Sequence, residues 1–132
     1  MPEPIVYIDR SEIRAGRLED VKKAISELVA FVDAHEPQLI SYGVYVDEEA
    51  SMMGVVAVHP DSASIEFHME IGGPEFRKFA ELIDLRSIDL YGRPSDAALE
   101  QLHEKAKMLG ENGRVLVHEL QAAFARFPSA QR

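Results

Sequence analysis

The sequence predicts an α+β fold: a ferredoxin-like split βαβ unit with an antiparallel sheet, followed by one more helix and strand. Three observations carry that expectation. Short runs rich in β-branched residues alternate with segments of helical period in the order β, α, β, β, broken α, β, then α and β. The two middle β runs flank a polar stretch of hairpin length. The apolar residues of those two runs fall on both faces of the sheet they would form, so a second copy of the same sheet is the natural cover.

The first strand is Ile5 to Ile8, with Tyr7 inside it, fading through Asp9 to Ile13. Gly16 separates it from a helix whose stripe is Leu18, Val21, Ile25, Leu28 and Val32. That helix must stop near His35-Glu36, because Pro37 disfavours helical backbone in the residue before it. Leu39 to Val46 and Met52 to Val58 form the hairpin, joined by Asp47-Glu48-Glu49-Ala50-Ser51. Asp61-Ser62-Ala63-Ser64 is rich in capping residues and opens a short helix through Ile65-Glu66-Phe67-His68-Met69-Glu70. Gly72-Gly73 breaks it, and Pro74 starts a second piece through Phe76, Phe79, Leu82 and Ile83. Ile88 to Tyr91 reads as the fourth strand, ended by Gly92 and Pro94.

Ser95 caps a last helix with the stripe Leu99, Leu102, Ala106 and Leu109, closed by Gly110. The segment 115–127 fits two readings. Leu116, His118, Leu120, Ala122 and Phe124 share one face of a strand, whereas Leu116, Leu120, Phe124 and Phe127 share one stripe of a helix. A strand is preferred, since Val115-Leu116-Val117 is β-prone and follows a Gly-rich turn. With no repeat and no linker, residues 1–132 read as one domain, core about 5–92 and C-terminal extension about 95–127.

Composition narrows the function classes. With no cysteine, disulfides, thiolate zinc sites and cysteine nucleophiles are excluded. The net charge of −9, from 14 basic and 23 acidic residues, argues against nucleic-acid and membrane partners. The start, Met1-Pro2-Glu3-Pro4, lacks the regions of a signal peptide, and no apolar stretch reaches membrane-spanning length, so a cytoplasmic protein is the simplest expectation. Dinucleotide, P-loop and serine-hydrolase motifs are missing, and with them support for those chemistries.

The stretch Ala63-Ser64-Ile65-Glu66-Phe67-His68, followed by Pro74-Glu75-Phe76-Arg77-Lys78-Phe79, resembles the antibiotic-biosynthesis-monooxygenase-like family. The resemblance covers roughly Ile5 to Tyr91 and not the tail beyond Pro94. It implies a dimeric α/β barrel in which two four-stranded sheets pack face to face, with a cavity between sheet and helices. In some members of that family the cavity oxidises aromatic polyketides or quinols with oxygen and no cofactor; others bind haem or other ligands. His68 is the one position carried over as a site residue; the tryptophan often found in oxygenating members is not present.

His68 is thus the candidate catalytic base, since a free imidazole titrates near working pH and could take a proton from a phenol. The bland reading is a histidine bonded to a backbone carbonyl. His59 ends the third strand, where it could line a cavity mouth paired with Asp61, or merely end the strand. Tyr42, Phe76 and Tyr91 complete the candidate ligand-binding set, and Tyr7 and Tyr45 are further strand phenols. Tyr42 and Tyr45, three apart, must face opposite sides of the sheet. His118 and Glu119 diverge in a strand, His103 lies on a solvated helix face, and His35 offsets a helix dipole. No H-x-H or H-E-x-x-H spacing supports a metal, and no cofactor is expected. The leading expectation is a dimer that binds a small apolar or aromatic molecule, with cofactor-free oxygenation as its chemistry. The alternative is a non-catalytic ligand-binding or dimerisation module.

Overall fold

Strand β1 (Ile5–Ile13) lies at the centre of a five-stranded sheet of order β2-β3-β1-β4-β5. The structure, a computed structural model, describes residues 3–126. Burial along β1 alternates as a two-residue period requires: Ile5, Tyr7, Asp9, Ser11 and Ile13 face inward, and Arg10 and Glu12 are exposed. Helix α1 (Leu18–His35) recrosses the inner face and buries Val21, Ala24, Leu28 and Val32 at three- and four-residue steps. Pro37 ends it as expected, leaving Glu36 as the C-cap. Strands β2 (Ser41–Asp47) and β3 (Met52–His59) form the hairpin, and β3 pairs antiparallel with β1.

Helix α2 (Ser62–Ile71) starts where the Asp61 carboxylate accepts the Ser64 N–H at 2.9 Å. Helix α3 (Gly73–Arg77) carries Pro74 in its first turn. Strand β4 (Ile83–Tyr91) pairs with the other edge of β1 through a bulge between Arg10 and Ser11. That bulge holds Leu85 and Ile88, three residues apart, on one inner face. Helix α4 (Asp96–Leu109), capped by Ser95, then crosses over to β5 (Arg114–His118), which runs parallel to β4. A Cβ at Gly110 would collide with the Leu85 carbonyl oxygen, so only glycine lets the chain turn so close to β4. The first four strands give the ferredoxin-like order, and α4 and β5 are the addition foreseen.

Three boundaries differ from expectation. The second helical piece does not reach Ile83; it ends at Arg77, and Ile83 opens β4 instead. Phe79, Leu82 and Ile83 share a helical spacing, but Ile83 and Leu85 alternate into the core as strand residues, so β4 starts five residues before the expected Ile88. The second strand begins at Ser41 rather than Leu39. The last strand is confined to Arg114–His118, and Leu120 and Phe124 beyond it are exposed. Phe127, part of the helical alternative for that segment, lies outside the described residues.

All helices lie on one face. On the other, Val6, Ile8, Val56 and Val58 are only half-buried, and Tyr45 is 64% exposed. No helix among the described residues is long and apolar enough to cross a membrane.

Candidate functional site

The buried side of the sheet, which should be the driest part of the fold, carries a line of polar groups. At its centre are His68 and Glu36. In α2 the inward residues are Ser64, Ile65 and His68, one helical turn apart, so the capped start of the helix determines where His68 points. Phe67, its neighbour in sequence, turns outward. Glu36 arrives from the end of α1. His68 Nδ1 lies 2.8 and 2.7 Å from the two Glu36 oxygens, and the residues are 5% and 3% exposed. A carboxylate accepts only, so Nδ1 carries the hydrogen and the Nε2 lone pair is left free. Among the described residues no hydrogen bond engages Nε2. Burial holds the imidazole pKa below its ordinary 6.5 against the upward pull of Glu36, so the ring is neutral at physiological pH.

The ring is enclosed by three candidates from the sequence. Tyr42 from β2 stands 5.3 Å away between centroids, His59 5.6 Å and Phe76 5.1 Å. Tyr42 faces inward and Tyr45 outward, as their spacing demanded. Burial holds the Tyr42 hydroxyl far above its ordinary value, helped by Asp9 and Glu36. His59 does not pair with Asp61, which caps α2. Its Nδ1 lies 2.7 Å from Ser64 Oγ. Since Ser64 Oγ also accepts the Gln38 amide at 3.2 Å, its hydroxyl is free to donate to His59. Gln38 reaches Glu36 as well, at 3.4 Å, and so ties both histidines together. Burial, then His68 and Lys105, push the His59 pKa down to about 3.

A second cluster abuts the first. Lys105, buried on α4, donates to Tyr7 OH at 2.8 Å and lies 3.6 Å from Asp9 Oδ2. Tyr7 donates to the same Asp9 oxygen at 2.5 Å. The other Asp9 oxygen accepts the Val55 N–H at 3.3 Å. Burial lowers the Lys105 pKa, with Asp9 opposing, and raises that of Tyr7. The Lys105 ammonium stands 4.4 Å over the Phe76 ring, whose other neighbour is His68. Phe76 is therefore the wall shared by the two clusters.

Tyr91 is not brought to this site. It lies on the outer face, half exposed and stacked on His118, which is 2.8 Å from Asp89. His35 bonds the Phe31 carbonyl and stacks on its ring at the end of α1. Glu36, Ser64, Asp9 and Lys105 were not singled out from sequence. Lys105 had left a trace there: it falls three residues beyond Leu102 and four short of Leu109, inside the apolar stripe.

Little space is left inside. An interior chamber of about 20 Å³, lined by Asp9, Ser11, Tyr42, Phe76, Lys105 and apolar residues, has room for about one water. A surface groove of about 260 Å³ between α1 and β2 reaches Glu36 and Tyr42 from outside. Where the resemblance implies a cavity between sheet and helices, the described residues leave this small chamber, with the groove outside it.

Comparison with known proteins finds no matching family model and no matching curated protein. Solved structures do match. MupZ from Pseudomonas fluorescens aligns over 94% of this chain and 95% of its own at TM-score 0.72 and 16% identity. So full a match includes the C-terminal helix and strand. A Bacteroides thetaiotaomicron protein, described as a candidate antibiotic biosynthesis monooxygenase, aligns over 63% of this chain and 85% of its own, at TM-score 0.51 and 21% identity. SnoaB, a cofactor-independent oxygenase from Streptomyces nogalater, aligns over 70% and 95%, at TM-score 0.58 and 14% identity. At these identities the likeness is one of fold. The fold is that of the antibiotic-biosynthesis-monooxygenase-like proteins.

Proposed function

We propose that this chain is a small-molecule enzyme of the acid–base kind, in which the neutral His68 Nε2 accepts a proton from a phenolic or quinol-like substrate. The observation that carries this reading is the contact of His68 Nδ1 with both oxygens of a buried carboxylate. It fixes the tautomer, orients the ring and stabilises the imidazolium that proton transfer creates. The groove between α1 and β2 is the route inward, past Tyr42. Cofactor-free oxygenation suits such a site. Loss of the proton makes the substrate electron-rich enough to reduce oxygen itself. One oxygen atom then ends in a new C–O bond, and the other leaves as water with two hydrogens drawn from the substrate. SnoaB, of similar fold, is an oxygenase of this cofactor-independent type.

The same reading includes a homodimer. Val6, Ile8, Val56 and Val58 form a half-buried apolar patch on the helix-free face, which a second sheet would cover.

Oxygen uptake with a panel of hydroquinones tests the chemistry. His68→Ala is expected to lower the rate by roughly 10²–10⁴-fold, the usual worth of a positioned base. Uptake by the unaltered protein no faster than background would remove the oxygenase reading. Equal rates in both proteins would remove His68 from it.

A further inference from the structure

His59 stands against the base, and proton abstraction at His68 leaves it unused. The two ring centroids are 5.6 Å apart, edge to face, and both residues are buried. The hydrogen bonds around them set opposite tautomers. Gln38 Nε2 lies 3.4 Å from Glu36 Oε1, and a carboxylate only accepts, so this nitrogen is the amide donor. It also donates to Ser64 Oγ at 3.2 Å. Ser64 is 2% exposed, and among the described residues His59 Nδ1, at 2.7 Å, is the acceptor its hydroxyl reaches. With the hydrogen on Nδ1 instead, that buried hydroxyl would have nothing to donate to, which is costly. The His59 hydrogen therefore sits on Nε2, whereas that of His68 sits on Nδ1. Among the described residues no hydrogen bond engages Nε2 of either ring. Side by side, two uncharged rings thus offer one free lone pair and one free N–H.

We propose that His59 is a second catalytic residue, whose Nε2–H donates to a carbonyl oxygen of the substrate while His68 Nε2 removes a proton from the adjacent carbon. This rests on the acid–base reading above and extends it from O–H to C–H protons. It gives the chain an activity that consumes no oxygen, the enolisation of a ketone. In the step the α-C–H bond breaks, and its proton forms the N–H bond at His68 Nε2. The electron pair becomes the C=C bond of an enolate, and the charge settles on the oxygen that accepts the His59 hydrogen. A neutral imidazole N–H, already in place and out of water, acts on that charge more strongly than solvent would. Tyr42 and Phe76, the other rings around His68, suit a flat aryl ketone. Ser64 and Gln38 act through His59 by fixing its tautomer; they are positioning residues.

Two measurements on the full-length protein test this. In ¹⁵N–¹H spectra at neutral pH, His59 should carry its hydrogen on Nε2, and Ser64→Ala should spread that hydrogen over both nitrogens. The second is deuterium uptake at the α-carbon of α-tetralone, followed by proton NMR in heavy water without oxygen. The unaltered protein should exchange that hydrogen faster than buffer does. His59→Phe should slow the exchange roughly 10²–10³-fold, as loss of an oxyanion donor does. His59→Gln, whose amide N–H takes the place of the Nε2–H, should retain most of the rate. A His59 hydrogen on Nδ1, exchange no faster than in buffer, or equal exchange by the His59→Phe protein overturns the proposal. If His59→Phe does not fold, the tautomer and the His59→Gln rate decide. Oxygen uptake with hydroquinones separates this failure from failure of the base. If uptake needs His68 while α-tetralone does not exchange, His68 stands and the role of His59 falls.

Discussion

Strand β1 has two faces that invert the usual pattern. On the side enclosed by helices its central residues are Tyr7, Asp9 and Ser11, all buried. On the open side stand Val6 and Ile8, only half covered. Patterning for solubility alone would exchange them, since apolar residues gain most from burial and polar groups lose most. The inversion teaches that each face is organised around something other than the stability of the isolated chain. The inner face holds charge and hydrogen bonds in place, and the outer face leaves apolar side chains half-covered, which is what the proposed dimer would use. Consistency is broken where function is expected.

The largest effect should come from unpairing the inner charges. Asp9→Leu leaves the Lys105 ammonium buried without its anion and should cost about 3–5 kcal/mol in urea unfolding. Adding Lys105→Met should recover most of that, because an apolar pair of similar volume is tolerated where a broken ion pair is not. Arg10→Ala, one residue along on the exposed face, should stay within about 0.5 kcal/mol. An Arg10 variant as damaging as Asp9→Leu would dissolve the contrast between the faces.

Next in size is acid sensitivity. The His59 pKa, about 3 in the fold, lies below its ordinary 6.5. Between those values the unfolded chain binds a proton that the native protein does not. Stability is therefore full above about pH 6.5 and declines as pH falls toward 3, by a few kcal/mol for this group. His68 is shifted the same way and adds to the decline. Urea melts across that range should show it, and His59→Gln should flatten the slope. A slope unaltered by His59→Gln would mean that His59 is hydrated or charged in the native state.

The outer face should respond differently. Val58→Asp is expected to shift sedimentation from dimer to single chain while changing the folding stability of that chain by only about 1 kcal/mol. Unaltered protein sedimenting as a well-folded single chain at micromolar concentration would remove the dimer from the account.

Much of the fold was legible because it depends on local period. The stripe of α1, the hairpin, the Asp61 and Ser95 caps and the Gly72-Gly73 break are each written within a few residues. The start of β4 was not. Ile83 belongs to a helical spacing and to a strand alternation at once, and only its pairing with Ile13 decides the matter. The site was half legible. His68, Tyr42, His59 and Phe76 do converge, but their partners come from far along the chain. Glu36 is 32 residues from His68, and Lys105 is 98 residues from Tyr7. No local pattern marks a carboxylate after a helix end as a histidine's partner. Lys105 could have been noticed as a charge inside an apolar stripe, and Asp9 as a charge on the inner face beside Tyr7. Tyr91 shares its strand with inward-facing Leu90, and one step of the two-residue period is enough to send it to the opposite face.

The proposed chemistry turns on the protonation state of one ring. Long-range ¹⁵N–¹H spectra of the histidine side chains, recorded from pH 8 down to about 5, read it directly. Throughout the neutral range His68 should be uncharged with its hydrogen on Nδ1, and its protonation midpoint should lie below that of a free imidazole. An imidazolium at pH 7, or a neutral ring with its hydrogen on Nε2, would leave no lone pair facing the substrate and would contradict the proposed base.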